Sequence, residues 1–283
     1  MVKGEYREFY HAILRVLPKK NIIIDPLRKT AIGADASFYK LVPQIIVDIQ
    51  SEKQVGIVLR EARKRKLPMT FRAAGTSLSG QSISDSILIR MGQGWDGFHI
   101  YDKARFIQLQ PGIIGGSANR HLAPFGRKIG PDPASIDTAK IGGILANNSS
   151  GMCCGVEQNS YQTIESIRLV LLDGTVVDTS DDKSVANFRK IRADLLNRLA
   201  ELRRQVMADT DLAHRIKYKF KIKNTTGYSL NALVDYEDPL DIMIHLMVGS
   251  EGTLAFISNS VLRTVVEHRH KASALILFFN MSD

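Results

Sequence analysis

The chain has 283 residues with 44% hydrophobic content, enough to build one large domain or two modest ones with real cores. No run of eighteen apolar residues occurs, the first residues contain no apolar region, and the only cysteines, Cys153 and Cys154, are adjacent. These features predict a cytoplasmic protein without a membrane span, an export signal, a disulfide or a metal site. The net charge of +9 suits an anionic cofactor, an acidic substrate or peripheral contact with the inner face of a membrane.

The first quarter of the chain predicts a βαβ unit. Residues 4–17 have the spacing of a packing helix, and residues 19–43 have the composition of an extended segment. An apolar run at 45–47 predicts a strand. A helix is expected to begin after Ser51, where a capping-box spacing is present, and the short apolar segment 67–70 predicts a second strand.

The stretch that follows, residues 71–81, has the composition of a phosphate-binding loop. Small residues and two glycines allow the backbone to approach an anion, while main-chain N–H groups and the hydroxyls of Thr76, Ser77 and Ser79 can donate to it. Arg72 adds a positive charge. The stretch taken alone fits a surface loop equally well, but it follows the carboxyl end of a strand, which is where α/β sheets bind ligands.

Two better-known phosphate motifs do not apply. Gln81-Ser82 stands where a P-loop has Lys-Ser/Thr, so a nucleoside triphosphatase is not expected. The G-x-G-x-x-G pattern at 92–97 precedes a predicted strand at 98–101, whereas the Rossmann fingerprint needs a helix there. The pattern therefore predicts a turn.

A second stretch of small residues occurs about sixty residues after the first. Predicted strands at 86–91 and 104–110 and a short helix at 114–124 lead to a rigid turn at 131–135. The sequence then runs Ile-Gly-Gly-Ile-Leu-Ala-Asn-Asn-Ser-Ser-Gly-Met over 141–152. Two such stretches suggest that one long ligand is held from two sides.

The remaining elements are a hairpin, helices and one ambiguous segment. Residues 167–177 predict a hairpin, 184–210 an amphipathic helix and 239–247 an apolar helix. Basic and apolar residues alternate over 214–223, which would suit a nucleic-acid-binding segment but equally a solvated strand or extended loop. We favour the strand or loop and expect no nucleic-acid partner.

Four ordered motifs together resemble a known family. They are Arg72-Ala73-Ala74-Gly75-Thr76-Ser77 with Gly80; Ile141-Gly142-Gly143 through Asn148 to Gly151; Leu172-Asp173-Gly174; and Lys223-Asn224-Thr225-Thr226-Gly227-Tyr228 with Gly249-Ser250-Glu251-Gly252-Thr253-Leu254. They resemble the FAD-binding domain of the p-cresol methylhydroxylase (PCMH) and vanillyl-alcohol oxidase superfamily. The likeness is greatest to its D-lactate, glycolate and D-2-hydroxyglutarate dehydrogenases.

The resemblance implies a set of residues for non-covalent FAD binding. In this family the first loop holds the pyrophosphate, which here implies Arg72, Ala73, Ala74, Gly75, Thr76, Ser77, Gly80 and Gln81. The second stretch lies along the ribityl and flavin side, which implies Pro131, Asp132, Thr138, Gly142, Gly143, Asn148, Ser149 and Gly151, with Ile257 as a later contact.

The resemblance also implies a fold and an activity. We expect an α+β, two-subdomain PCMH-type fold: an N-terminal helix and segment at 1–39, the FAD-binding domain at 40–267 with subdomains of about 40–110 and 111–267, and the start of a largely absent cap domain at 268–283. The expected reaction is oxidation of a D-2-hydroxy acid (D-lactate, glycolate or D-2-hydroxyglutarate) with hydride transfer to flavin N5. A quinone, a carrier protein or a further redox subunit would accept the electrons.

Alternatives remain open at this stage. The chain could hold FAD without turnover, as a binding module or subunit, or it could resemble a UDP-N-acetylmuramate-type reductase. No catalytic base is assigned, because each candidate histidine has a solvent or packing explanation. Residues 272–279 are expected to form the first cap strand.

Overall fold

The computed structural model describes residues 2–280 and contains two β-sheets with helices packed on them. Four strands form the first sheet in the order β1-β2-β4-β3, with β2, β4 and β3 parallel and β1 antiparallel to β2. Their bounds are β1 Ile22–Ile23, β2 Ile45–Ile49, β3 Met69–Arg72 and β4 Ile87–Met91. The predicted βαβ unit is confirmed, although β4 lies between the two strands that flank its helix.

Three helices accompany this sheet: α1 Glu5–Ile13, α2 Pro26–Ile32 and α3 Glu52–Lys64. Ser51 caps α3 by accepting a hydrogen bond from the Gln54 N–H at 3.4 Å. The Gln54 side chain accepts from the N–H of Gln50 at 2.7 Å, one residue before the position of a standard capping box. The apolar side of α3 and Phe9 of α1 are buried in the same core as β2 and β4.

The second sheet is antiparallel and has the order β5-β6-β10-β8-β9, with β7 paired to the far end of β10. Its strands are β5 Phe98–Tyr101, β6 Phe106–Leu109, β7 Arg127–Ile129, β8 Ile164–Leu171, β9 Val176–Asp178 and β10 Ala255–Val266. The predicted hairpin is confirmed in β8 and β9. Strand β10 is long enough to contact three partners, and so it forms the centre of this sheet.

Eight further helices surround the second sheet and close its core. They are α4 Gly115–Leu122, α5 Ile141–Asn147, α6 Ser160–Thr163, α7 Asp182–Ile191, α8 Ala193–Ala208, α9 Thr210–Lys219, α10 Ala232–Asp235 and α11 Pro239–Met247. Residues of α11 are buried on most sides, as its apolar sequence predicts. Among residues 2–280 no helix is long and apolar enough to span a membrane.

An aromatic contact joins the two sheets. The Phe256 ring of β10 lies 5.1 Å from the Phe71 ring and 5.3 Å from the Trp95 ring. The Trp95 indole donates to the Ile49 carbonyl at 3.0 Å and so is fixed to the first sheet. Buried Trp95 and Phe256, with the partly buried Phe71, therefore provide apolar contact between the sheets at this point.

An ion pair reinforces the same junction. Arg168 of β8 donates to both carboxylate oxygens of Glu52 at the start of α3, at 2.6 and 2.9 Å. Burial alone would raise the Glu52 pKa, but the hydrogen bonds from Arg168 and Ser258 outweigh it, so the pKa is held below its usual range. A two-pronged pair of this kind also fixes the orientation of the helix on the sheet.

Two predictions about where helices lie need correction. Residues 19–43 are not extended throughout, because a short 3₁₀ helix, β1 and α2 lie within them; Asp25 caps α2 by accepting from the Arg28 N–H at 2.9 Å. The single helix expected over 184–210 is two helices, α7 and α8, which change direction at Arg192.

Two strand predictions are wrong. Residues 214–219 belong to helix α9, in which Ala213 and Ile216 are buried while Tyr218 is exposed. Residues 272–279 form no strand and have exposed side chains, so no sheet partner covers them in the described part of the chain. The last three residues of the predicted 268–283 segment lie outside the described residues.

The two sheets do not divide the chain at the predicted subdomain limits. Residues before 40 contribute Phe9, Ile13 and Leu17 to the core of the first sheet, because α1 packs on α3. Strands β5 and β6 lie before residue 110 but belong to the second sheet, because β6 pairs with β10. The transition between sheets therefore falls between β4 and β5.

Candidate functional site

A cleft of about 890 Å³ runs between the two small-residue stretches. One wall is the loop after β3 together with neighbouring Ser82, and the other contains α5 and the residues after it. The loops 223–227 and 250–252 and the first residues of β10 complete it. Its volume lies within the range typical of ligand pockets. The expectation that both stretches face one ligand site therefore agrees with the geometry.

The loop after β3, which is the first small-residue stretch, presents main-chain donors to this cleft. The N–H groups of Ala74, Gly75, Thr76 and Ser77 make no hydrogen bond to any other residue in the described part of the chain. Gly75 has φ of +77° and Gly80 has φ of +79°, conformations that glycine adopts without steric cost. The loop thus exposes consecutive N–H groups, the arrangement that binds anions.

The second stretch contributes close packing. A methyl group on Gly142 would lie 2.8 Å from Pro111 Cβ, and one on Gly143 would lie 3.2 Å from Ala73 Cβ. Larger side chains at either glycine would therefore narrow the cleft or push its walls apart. The main-chain N–H of Gly142 is already used, because it donates to the Pro111 carbonyl at 3.0 Å.

The structure brings most of the predicted cofactor residues together. Those that line the cleft are Arg72, Ala73, Ala74, Gly75, Thr76, Ser77, Gln81, Thr138, Gly142, Gly143, Ser149 and Ile257. The others, Gly80, Pro131, Asp132, Asn148 and Gly151, lie next to it but are not part of its lining. Assignment of individual FAD contacts stays a prediction.

Asp132 and Gly151 support the second stretch from behind. The Asp132 carboxylate accepts from the N–H groups of Gly151, Cys153 and Cys154 at 2.8, 2.9 and 3.2 Å. Burial would raise the Asp132 pKa, but hydrogen bonds with the Cys154 side chain and with these N–H groups outweigh it and lower the pKa. A methyl group on Gly151 would lie 1.9 Å from the Asp132 carbonyl oxygen, so glycine is required there.

Neighbouring residues also fix the other three predicted residues that lie outside the lining. Asn148 ends α5 with φ of +49°, and its side-chain oxygen accepts from the Tyr161 N–H at 3.3 Å. Gly80 lies under the Tyr39 ring, which a methyl group would approach to 3.1 Å. Pro131 is buried. Each therefore shapes the walls of the cleft.

Among residues 2–280, the charged side chains in the lining of the cleft are those of Arg72, Lys140, Lys223 and Glu251. The Arg72 guanidinium donates to the carbonyls of Ile32 and Ala34, both at 2.7 Å, and Lys223 donates to the Ser150 carbonyl. Burial, together with the nearby charge of Arg90, lowers the pKa of Lys140. The positive charges exceed the negative, which suits an anionic ligand.

Glu251 is the acidic group of the cleft. It has φ of +53°, its N–H donates to the Ala146 carbonyl at 2.8 Å, and its carboxylate accepts from the Asn147 amide at 2.6 Å. Burial raises the Glu251 pKa despite this hydrogen bond. The ionised form is therefore less favourable in the folded protein than in the unfolded chain.

We expect Glu251→Gln to raise the melting temperature of the cofactor-free protein at neutral pH. The ionised glutamate costs stability above its folded-state pKa, and this cost disappears as the carboxyl group becomes protonated. The difference between variant and parent should therefore shrink as the pH falls towards about 4.3, the ordinary pKa of Glu. Thermal melts across this pH range check it, and a variant that is less stable than its parent at neutral pH would contradict it.

Several cleft residues were not in the predicted set. Lys223, Thr225, Thr226 and Gly227, like Ser250 to Gly252, belong to the fourth motif, so the sequence contained a signal for them. Phe71 and Phe256 were not distinguishable from ordinary core residues. Lys140 directly precedes the second stretch but had no recognisable pattern.

No histidine lines the cleft within residues 2–280. His121 stacks on Phe98, His99 on Tyr101, and buried His245 on Tyr236. Burial lowers the His245 pKa, and its Nδ1 contacts the Asp241 carbonyl at 2.8 Å. In the same range no group of His, Cys, Asp and Glu could hold a metal ion.

Comparison with known proteins identifies the domain. The family described as FAD binding domain matches residues 43–180. D-2-hydroxyglutarate dehydrogenase of Pantoea ananatis is 28% identical over 247 residues, which is 82% of this chain and 23% of that protein. D-lactate dehydrogenase of Anaerostipes hadrus is 22% identical over 280 residues, 98% of this chain and 48% of that protein.

The chain thus spans about a quarter of the first relative and about half of the second. A further relative, glycolate oxidase subunit GlcD of Escherichia coli, is 27% identical over 148 residues, or 52% of this chain and 30% of that protein.

Solved structures share the fold. An alkyldihydroxyacetonephosphate synthase superposes with a TM-score of 0.61 at 18% identity, covering 93% of this chain and 41% of the other. The 6-hydroxy-D-nicotine oxidase of Arthrobacter nicotinovorans superposes with a TM-score of 0.55 at 15% identity, covering 86% of this chain and 41% of the other. The predicted α+β PCMH-type fold is confirmed. Residues 43–180 therefore carry an FAD-binding domain, with FAD as its cofactor.

Proposed function

We propose that this chain is the FAD-binding part of a dehydrogenase that oxidises a D-2-hydroxy acid to a 2-oxo acid. The observation that carries the proposal is similarity over most of the chain to D-2-hydroxyglutarate and D-lactate dehydrogenases. D-2-hydroxyglutarate, D-lactate and glycolate are the candidate substrates. A quinone, a carrier protein or a further redox subunit would accept the electrons, in the cytoplasm or at the inner face of the membrane.

The residues of the cleft fit FAD. Consecutive free N–H groups at 74–77 suit the diphosphate, and the positive charges of the lining suit its two negative charges. Gly142 and Gly143 keep the opposite wall free of side chains, so a long ligand can lie against the backbone. Apolar groups from Met91, Phe256 and Ile257 give the cleft a water-poor region for a flavin ring.

The protein's own groups would bind and orient the cofactor. The main chain of residues 73–77, with the Thr76 hydroxyl, would hold the diphosphate, and Ser149 and Ile257 would contact parts further along. The Asn147–Glu251 pair would keep the adjoining loop in place. When bound, FAD supplies the redox chemistry by accepting hydride at its N5 atom. Within residues 2–280 no histidine lines the cleft, so none is assigned as the base that takes the hydroxyl proton.

The test is a visible absorption spectrum of the purified protein before and after denaturation, followed by anaerobic addition of each candidate acid with L-lactate as control. A flavin band that denaturation releases supports non-covalent FAD, and bleaching by a D-2-hydroxy acid alone supports the proposed reaction. A flavin band that no acid bleaches would favour a binding module without independent turnover. A colourless protein that takes up no added FAD would contradict the cofactor site.

A matched pair of glycines tests the first loop directly. Gly75→Ala should abolish FAD retention, because its methyl group would lie 2.5 Å from the Arg72 guanidinium. Gly126 also has a positive φ, of +65°, but open space around it, so Gly126→Ala carries the same backbone strain of about 1–2 kcal/mol without touching the cleft. FAD titration and melting of both variants separate the two effects. Equal FAD affinity in the two variants would refute a role for the first loop.

A further inference from the structure

Lys140 lies at the junction between the first sheet and the second stretch. It immediately precedes α5, its carbonyl accepts from the Ile144 N–H at 3.0 Å, and its backbone bridges to Ile114. The side chain is half-buried and lines the cleft. Its ammonium group has no hydrogen bond and no ion pair to any residue in the range 2–280.

The other positive groups of the cleft are already engaged. Both terminal nitrogens of Arg72 donate to main-chain carbonyls of the N-terminal segment, and Lys223 donates to the Ser150 carbonyl. Close to Lys140, Arg90 is paired with Asp48 through two hydrogen bonds of 2.8 Å. Lys140 is therefore the cation of this lining that keeps its full donor capacity for a ligand, as far as the described residues show.

A half-buried ammonium without a partner is unfavourable in the free protein. Burial and the like charge of Arg90 lower its pKa, and the opposite charge of Asp48 offsets this only in part. Lysine side chains normally avoid this by extending into water. A bound anion would remove the cost, and the free N–H groups of residues 74–77, which line the same cleft, already indicate an anion in it.

We propose that Lys140 supplies the positive charge that binds the FAD diphosphate, while Arg72 holds the loop that presents the N–H donors. The proposal rests on FAD binding in this cleft. In this proposal the Lys140 ammonium contacts the diphosphate, whereas the Arg72 guanidinium fixes the backbone around it. Two other roles of Lys140 give different results. If Lys140 were only structural, the protein would need it for stability, and if its ammonium lay beside the flavin ring, it would change the reduction potential of the flavin.

The test uses Lys140→Met and Lys140→Arg, with Lys190→Met as control, because Lys190 is exposed and has no hydrogen bond or ion pair within residues 2–280. FAD dissociation constants would be measured at low and high salt, with the melting temperature of each cofactor-free variant and the reduction potential of the bound flavin. For Lys140→Met we expect about tenfold weaker FAD binding with a shallower salt dependence. We also expect an unchanged potential and a melting temperature equal to or above that of the parent, whereas Lys140→Arg should keep most of the affinity.

Three results would overturn the proposal. FAD affinity of Lys140→Met equal to that of Lys190→Met would show that the charge is not used. A changed reduction potential with unchanged affinity would place the ammonium at the flavin ring. A lower melting temperature of cofactor-free Lys140→Met would show a structural role. These outcomes require a parent that binds FAD, so they are distinct from failure of the cofactor site itself, which the parent alone reveals.

Discussion

Replacing Arg72 with methionine is expected to weaken FAD binding about a hundredfold, even though both terminal nitrogens of this arginine are occupied within the protein. The substitution leaves the Ile32 and Ala34 carbonyls without donors. Hydrogen bonds from a charged donor contribute about 1.5–3 kcal/mol each, so the loop after β3 would be held much less firmly against the N-terminal segment. Titration with FAD, followed by flavin fluorescence, measures the effect.

Arg72→Lys separates shape from charge. Lysine keeps the charge but cannot donate in two fixed directions, so we expect it to bind FAD nearly as weakly as the methionine variant. Arg198→Met controls for loss of one positive charge, because Arg198 is exposed and has no ion pair or hydrogen bond in the part of the chain that the structure describes. Affinity close to the parent in Arg72→Lys would show that charge alone is sufficient at this position.

Ser82→Ala provides a milder version of the same test. The Ser82 hydroxyl donates to Asp35 at 2.8 Å, and Asp35 lies in the segment that Arg72 holds. The Ala36 N–H also donates to the Gly75 carbonyl at 3.0 Å. We expect a loss of FAD affinity in the same direction but smaller, about tenfold, because one hydrogen bond to a charged acceptor is lost where Arg72→Met loses two from a charged donor.

Asp132→Asn is expected to lower the free energy of unfolding by about 2 kcal/mol at neutral pH. The carboxylate accepts three main-chain N–H groups, whereas an amide would turn a donor towards one of them. Chemical denaturation of the cofactor-free protein measures the loss. Asp85→Asn, at an exposed aspartate without a hydrogen bond or ion pair in the described chain, is the control.

The effect of Asp132 should also depend on pH. Its folded-state pKa lies below the ordinary value, so its contribution is complete above about pH 3.9 and is lost as the pH falls through the folded-state pKa. The parent and the Asp132→Asn variant should therefore approach each other in stability under acid conditions. A constant difference at every pH would mean that the charge of this carboxylate is not responsible.

Local sequence patterns predicted the parts of the fold whose contacts are local. The order β2, α3 and β3 followed from apolar periodicity, and the glycine-rich loop followed from composition. The same patterns failed over 214–223. Alternation of lysines with apolar residues favoured a strand, but Asp209 caps a helix there by accepting from the Leu212 N–H at 2.9 Å, and the core selects Ala213 and Ile216 at helical spacing.

Long-range contacts explain why the site was predicted only in part. Arg72 could be recognised as a cation in a phosphate-binding loop, but its partners are carbonyls about forty residues earlier in the chain. Asp132 was expected at the cofactor because it accompanies the motif, while its three hydrogen bonds run to residues about twenty positions later. The periodicity of the local sequence cannot predict hydrogen bonds between residues so far apart in the chain.

The Phe256 contact has a consequence for how a ligand reaches the cleft. Phe256 lines the cleft and also packs between Phe71 and Trp95. A hinge motion of the two sheets that widened the cleft would therefore expose this aromatic cluster to water. The loop 223–227 has no aromatic contact of this kind in the described chain. Its ends are held only by hydrogen bonds, one from the Lys223 side chain and one between the Tyr228 and Thr253 hydroxyls. We therefore expect the sheets to move as one rigid body and exchange of the ligand to depend on displacement of this loop.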